Sequence, residues 1–539
     1  MADRADGNPL YIEELVSFIA GRGIDPHDAA AIASLQLPES LHSLVLSRID
    51  TVSEEPRRTL KVASIVGRVF HAPVLPGAYP DLGSLDEVQA QLDVLRTADL
   101  VALDREAEMA YLFKHVVTQE VAYESMPFGM RAILHRRVGA WIESTSADAI
   151  GTQLDLLAYH FWRGDDQDKK RFYLAAAGEQ AQAAYANAAA IDYYERLAPL
   201  LPDAERGAIL LKLEQVLELV GEWARAETVA REALELAARN GDGAAEGWAH
   251  AALAEVARKQ GRFPAATSHL DAAAALFETA DDAAGLGQVW HVAGTVAAMQ
   301  GDLELARRRY QESLVVRERL GDRPKIGALY SNLAIVAEYE DDLEEAQRLS
   351  EQGYRIRVEA GDRWGIGVSL HNLGVYAIRL GQPDVARARV TEAMQIMLEV
   401  GDPWFAATER MLLGNVARDA GDFDAARAYY AASIPTYLAV DDPLAQAEFL
   451  EDVGLLASRL DEHARALEMV EAAAVIRATI GVDETPSAHQ EFEARLATSR
   501  AALTADELAH ARAAGRSIGT AGAIGVALEL CQPGDASPA

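Results

Sequence analysis

LYSNLAIVAEYEDDLEEAQRLSEQG, residues 329–353, and HNLGVYAIRLGQPDVARARVTEA, residues 371–393, carry one pattern set 40 positions apart. Ala337 answers to Ala377 before a turn, Asp341 stands where Gly381 stands, Ala346 matches Ala386, and Gly353 matches Ala393. Followed outward, the register does not drift. The turn position carries Gly221, Gly261, Gly301, Asp341, Gly381, Gly421 and Asp461; five residues on come Ala226, Ala266, Ala306, Ala346, Ala386, Ala426 and Ala466. Seven further on is another small residue: Ala233, Ala273, Ser313, Gly353, Ala393, Ser433 and Ala473. A second break, usually Gly-Asp or Asp-Asp, follows 20 residues after the first, as at Gly241-Asp242, Gly321-Asp322 and Asp441-Asp442.

Each mark has a physical reason. Glycine, or aspartate in its place, accepts the left-handed backbone that ends a helix. Between breaks the apolar residues recur at spacings of three and four, which marks amphipathic helices of about 16 to 18 residues. The positions that are always small are where two helices cross closely, and a larger side chain there overpacks the contact. The expectation is an all-α chain with seven helix pairs over residues 203–482, each pair buried against its neighbours.

The order Gly374, Ala377, Gly381, Ala386, Ala393 resembles the tetratricopeptide repeat, and the 40-residue length resembles the long-helix variety of kinesin light chains and large bacterial regulators. The resemblance implies a right-handed solenoid whose first helices line a concave groove. Two units depart from the pattern by placing Asp341 and Asp461 at the turn. A degenerate pair precedes them within 151–202, with Tyr185 at the turn and Ala190 at the packing position. Residues 483–530 are expected to form capping helices, and 531–539, with the single cysteine Cys531, a disordered tail.

Residues 1–150 lack the period. LPESLHSLVLSRIDTVSEEPRRTLKVASIVGRVF (37–70) predicts two helices, the second largely buried, and DVLRTADLVAL (93–103) ends a helix and enters a β-prone stretch. A strand at Tyr111–Phe113 and a further helix complete a winged-helix-like domain over 37–150. In sequence order GNPLYIEEL, LPESLHSLVLSRID, VASIVGRVF, YLFKHVVTQEVAYESM and LHRRVGAWIE resemble the signal-transduction ATPases with numerous domains (STAND), and the resemblance runs over essentially the whole chain. It implies a nucleotide-binding core, then a winged helix, then tetratricopeptide-like repeats. By it, residues 1–36 are a remnant of the ATPase lid helices, and Gly7, Asn8 and Pro9 a vestige of a nucleotide contact. These residues hold no G-x-x-x-x-G-K-[ST] and no Gly-Lys pair, so no loop is present to cradle phosphates, and no ATPase core is expected here.

Composition narrows the function. The formal net charge of −33 disfavours a broad nucleic-acid interface, which needs clustered Lys and Arg. Arg307-Arg308-Arg309 and His135-Arg136-Arg137 read as solvated helix faces. One cysteine permits no intrachain disulfide, and neither a signal peptide nor a run of about 18 apolar residues is present, so a cytoplasmic protein is expected. His160 with Asp165 and Asp166 reads as a packed helix residue rather than a ligand set, and no nucleophile elbow occurs. No catalysis, cofactor or metal is expected.

The tetratricopeptide resemblance implies instead a partner-binding groove at His291, Ser331, His371 and Met411, then Asn332 and Asn372, then Glu338 and Arg418. Asn332 and Asn372 share one register, and their amides can each give and take a hydrogen bond with the backbone of an extended peptide. The expected function is a non-catalytic scaffold, the sensor arm of a signalling ATPase, that binds a peptide or protein. The alternatives are a regulatory fragment or split partner of an ATPase or class III nucleotide cyclase encoded upstream, and a DNA-binding regulator. Self-association through end helices is open.

Overall fold

The computed structural model describes residues 40–482 and 486–532, together with Tyr11, Ile12, Leu15, Val16 and Ile19 of an early helix. Gly7, Asn8 and Pro9 lie outside the described residues. The chain divides into two compact units, Met1–Ala177 and Gly178–Ala539. Among the described residues no helix is long and apolar enough to cross a membrane.

In the first unit, α1 (Leu41–Thr51) starts on a capping box in which Ser40 and Ser43 satisfy each other's backbone amides. α2 (Glu54–Val66) buries Leu60, Val62, Ala63 and Ile65, as its apolar spacing predicts. There follow β1 (Val69–His71), α3 (Val74–Ala78), α4 (Leu85–Thr97), β2 (Val101–Arg105), β3 (Ala110–Phe113), α5 (Val116–Glu124), α6 (Phe128–Thr145) and α7 (Leu154–Arg163). The strands form a small antiparallel sheet of order β1-β3-β2, with Phe70 packed between Tyr111 and Phe113. His160 is engaged by His135, their Nδ1 atoms 3.0 Å apart, while Asp165 pairs with Arg136. Burial drives His135 down to about 3 and His160 down to about 4, so both are neutral.

The unit boundary falls inside α8 (Gln167–Ala183), and the second unit continues with α9 (Asn187–Leu197). The seven regular pairs are α10 (Asp203–Leu219) with α11 (Trp223–Asn240), α12 (Gly243–Lys259) with α13 (Phe263–Ala280), α14 (Ala283–Met299) with α15 (Leu303–Leu320), α16 (Arg323–Tyr339) with α17 (Leu343–Ala360), α18 (Arg363–Arg379) with α19 (Pro383–Val400), α20 (Pro403–Asp419) with α21 (Phe423–Ala439), and α22 (Pro443–Arg459) with α23 (His463–Ile480). They make an all-helical solenoid. All seven alanines five residues past the turn are fully buried. A Cβ on Gly353 would sit 2.8 Å from the carbonyl oxygen of Gly327, which is why that crossing admits no side chain.

The aspartates at the turns adopt the backbone the glycines adopt: φ is 62° at both Asp341 and Asp461, against 68° at Gly381. Tyr185, at the turn of the degenerate pair, has φ 55°. The aspartate after each break does a second job. Asp242, Asp282, Asp322, Asp362, Asp402 and Asp442 each accept the amide three residues on, capping the next helix. Trp248, Trp364 and Trp404 donate from Nε1 to the caps Asp282, Asp402 and Asp442 of the following repeat.

α24 (Pro486–Ala502), α25 (Ala505–Ser517) and α26 (Gly519–Leu530) close the chain. Cys531 corrects the expectation of a frayed residue: it is 4% exposed and joins Ala523, Ile524, Ala527 and Leu530 in the apolar cluster around Tyr430 and Val453. Burial pushes its thiol up to about 12.

Candidate binding lumen

The solenoid of the second unit touches itself. Asn187 Nδ2 donates to the carbonyl of Val400 at 2.9 Å, although the two are 213 residues apart in the chain. The rings of Trp223 and Trp404 lie 6.5 Å apart, with Lys259 Nζ 5.9 Å from both. Leu444, Ile480 and Val482 pack against the cluster of Phe263, Val292 and Val296, which belongs to much earlier repeats. One superhelical turn therefore takes about five repeats and rests on the next, so the concave face becomes the wall of a lumen. First helices supply that wall because their second partners form the outer layer.

Polar side chains step along the wall from repeat to repeat. Asn332 Nδ2 meets His291 Nε2 at 2.8 Å. Burial and the charge of Lys325 hold His291 down to about 3, so the neutral ring accepts that bond through Nε2. His371 Nδ1 lies 3.0 Å from Glu409 Oε1. Arg379 pairs with Glu338 at 3.4 Å and with Asp341 at 2.9 Å. Asn415 donates to Asp452 at 2.9 Å, and Arg477 grips Glu451 through two bonds of 2.7 and 2.8 Å.

Of the eight sequence-derived groove positions, His291, Asn332, Glu338 and His371 come together on this wall. Three do not face open space. Ser331 is 1% exposed and its hydroxyl is held by Arg357, a buried guanidinium that also donates to the Gly365 carbonyl and to Ser369. Met411 sits in the apolar cluster with Tyr430. Arg418 is 1% exposed, saturated by Asn415, Asp419, Tyr430 and Asp452. The helix crossing is so tight at these steps that one face of the first helix serves the neighbouring repeat. Asn372 is buried as well, 5% exposed, and differs from these three in having no partner for Nδ2.

The electrostatics are uneven along the lumen. At its early end Lys259 pairs with Glu218 and Arg258 with Glu255. Further on, carboxylates outnumber their partners. Glu448 is exposed to the water of the lumen, yet desolvation by the helices crowded around that space pushes it up to about 7, with help from Glu451, Asp442 and Asp452 and against the pull of Arg477. Glu448 keeps contact with water and forms no ion pair among the described residues. Burial also holds Glu338 and Glu409 above the usual carboxylate range. For His371, burial works against the charged ring, but the carboxylates of Glu409, Glu338 and Glu448 outweigh it and raise its pKa.

Glu409, Glu448 and Arg379 escaped the sequence reading. Glu409 had a usable signal: its register position is filled by Ala249, Val289, Leu329, Ser369 and Phe449 elsewhere, so a carboxylate there is out of pattern. Glu448 had none, since its equivalents Thr408, Val368, Ala328 and Gln288 follow no rule.

The tetratricopeptide repeat family matches residues 285–359 and 328–399. An uncharacterised protein of Rhizobium meliloti (strain 1021) is 23% identical over 239 residues, 43% of this chain; the chain spans only 20% of that relative. Among solved structures, the STAND protein with a tetratricopeptide repeat sensor from Pyrococcus horikoshii aligns with 93% of this chain and 68% of its own, at 11% identity and a TM-score of 0.46. A Rap protein complexed with Competence and Sporulation Factor aligns with 61% of this chain and 92% of its own, at 12% identity and 0.46. The Rap conjugation gene regulator of plasmid pLS20, in complex with the Phr* peptide, aligns with 71% and 96%, at 13% identity and 0.46. Likenesses at this level carry no argument about fold or activity.

Proposed function

We propose that residues 178–532 are a non-catalytic regulatory scaffold that takes a peptide, or an extended segment of a protein, into the superhelical lumen. The observation that carries this reading is the row of amide, imidazole and carboxylate side chains that first helices present to one enclosed, water-accessible space. Such a row offers an extended backbone donors and acceptors at repeat spacing, and enclosure by apolar helix crossings raises the value of each bond. The test is capture from the parent cell extract followed by mass spectrometry, with Asn332→Ala/Asn372→Ala as the comparison and helical content checked by circular dichroism. Loss of captured partners at unchanged helicity is the expected result. Undiminished capture by the double variant would mean that partners dock elsewhere.

The order of motifs from GNPLYIEEL to LHRRVGAWIE favours a second element of the reading. In it the scaffold is the sensor arm of a signalling ATPase, acting in the cytoplasm on an ATPase or a class III nucleotide cyclase. The first unit would couple the two as a winged-helix-like module; its helices followed by a three-stranded β1-β3-β2 sheet support that assignment. Co-expression with the ATPase or cyclase encoded next to this gene tests it: a complex surviving gel filtration is expected, and independent elution of the two proteins removes this part of the proposal.

A further inference from the structure

Three buried polar atoms without a partner lie around one stretch of the lumen. Glu409 is fully buried; one carboxylate oxygen holds His371 and the other, Oε2, has nothing. Asn372, adjacent to His371 on α18, leaves Nδ2 unpaired. Tyr376, one turn further along the same face, is 1% exposed with a hydroxyl that no group engages, and the charges it feels are those of Glu338 and Arg379 on the lumen wall. Leaving a buried polar group unsatisfied costs about 1–3 kcal/mol. His291 Nδ1 is a fourth such atom on the wall, two repeats earlier; the three gathered here leave hydrogen-bonding capacity that a ligand can take up.

Register explains why this stretch is open. Asn332 reaches back one repeat to His291 and is satisfied. The same reach from Asn372 ends at Ser331, whose hydroxyl Arg357 already occupies. Opposite, α22 contributes Glu448, a carboxylate in contact with lumen water and without an ion pair among the described residues. The neighbouring charges are already committed: Arg379 to Glu338 and Asp341, Arg477 to Glu451, His371 to Glu409. The stretch is thus short of one positive charge and offers that charge both a carboxylate and oxygen acceptors.

Resting on the reading of the lumen as a binding site, we propose that this stretch receives a protonated amine, the ammonium of a ligand seated between Glu448 and the His371–Glu409 pair, with Asn372 and Tyr376 bonding the adjoining ligand backbone. The ammonium has three donors and no acceptor, which suits a wall whose free capacity there is carboxylate oxygen. A lysine side chain, a peptide N-terminus and a polyamine all carry this group, so the source is left to the experiment.

A random heptapeptide pool is passed over the immobilised full chain and over Glu448→Gln, and the retained peptides are sequenced; spermidine binding is measured on both by calorimetry at low salt. The expected result is retention of peptides enriched in lysine or dependent on a free N-terminus, with the enrichment and about tenfold of affinity lost in Glu448→Gln. Retention of peptides without any excess of amines, equally by both proteins, overturns the inference and leaves the peptide-binding reading standing. Spermidine bound by the wild type, weakened tenfold by the substitution, with no peptide retained, upholds the amine and overturns the peptide reading. Failure of both probes overturns the inference. Asn372→Ala serves as a second variant: it should weaken peptide retention while leaving spermidine affinity within twofold, since it is assigned to ligand backbone and not to the ammonium.

Discussion

Asn332 and Asn372 occupy the same register of adjacent repeats, yet the first is bonded to His291 and the second, buried more deeply, is bonded to nothing. The two helices around them follow one design. α16 and α18 are each 17 residues long, each capped by an aspartate and each ended by a left-handed residue, Asp341 or Gly381. What differs is the residue 41 places upstream, His291 for one and Ser331 for the other. A repeat therefore fixes where an amide points, while its neighbour decides whether the amide is structural or available.

The harshest test of this comparison is to disturb the frame the two repeats share. Ala346→Leu and Ala386→Leu each force three extra carbons into a fully buried helix crossing, and each should cost about 1–3 kcal/mol. Urea unfolding followed by far-ultraviolet circular dichroism reads the loss. Unequal costs, with one variant at wild-type stability, would show that the two frames are not equivalent.

The asparagines themselves come next. Asn332→Ala leaves His291 without its donor and should cost about 1 kcal/mol, whereas Asn372→Ala removes a buried donor that is already unpaired and should be neutral or slightly stabilising. The same denaturation measurement separates them, and equal costs would break the comparison outright.

The smallest effect concerns the charge on the Asn372 side. Glu448 holds its proton to about pH 7 in the folded lumen and only to the ordinary carboxylate range once unfolded. Between those values the native state binds more protons, so this contribution is complete at acid pH and is lost as pH rises through about 7. Arg477, Glu451, Asp442 and Asp452 are the groups that set this balance. Because Glu448 touches water, the effect is on the order of 1 kcal/mol rather than the full value of the shift. Raising the pH from 6 to 8 should lower the melting temperature of the wild type more than that of Glu448→Gln; parallel curves would remove Glu448 from the account.

The sequence made the frame legible because each of its parts is local. Glycine or aspartate at a turn, alanine at a crossing and amphipathic spacing all act within one repeat and its immediate neighbour. Tyr185 and Ala190 were readable even in the degenerate pair for that reason. The aspartate caps were visible as punctuation, although their second role, receiving the tryptophan of the preceding repeat, was not.

Superhelical pitch was beyond reach. It accumulates from a small rotation per repeat, and nothing in Asn187 or Trp223 announces that either will meet the loops and helix starts around 400–404. The site was half legible on the same principle. His291, Asn332, Glu338 and His371, placed by register, lie on the lumen wall, while Ser331, Met411 and Arg418 are buried because a first helix turns some of its register positions toward neighbouring helices rather than toward the space it encloses. Glu409, out of pattern for its position, was the missed clue.

The bond from Asn187 to the Val400 carbonyl also bears on how the array comes apart. A linear stack of repeats unzips from its ends, each unit leaving at the expense of one neighbour. Here the outermost units are tied to the middle of the chain, so the first to peel away must also let go of a segment 213 residues distant. Damage at an end is then registered at the centre, and the array should melt in fewer, larger steps than its repeat count alone would give.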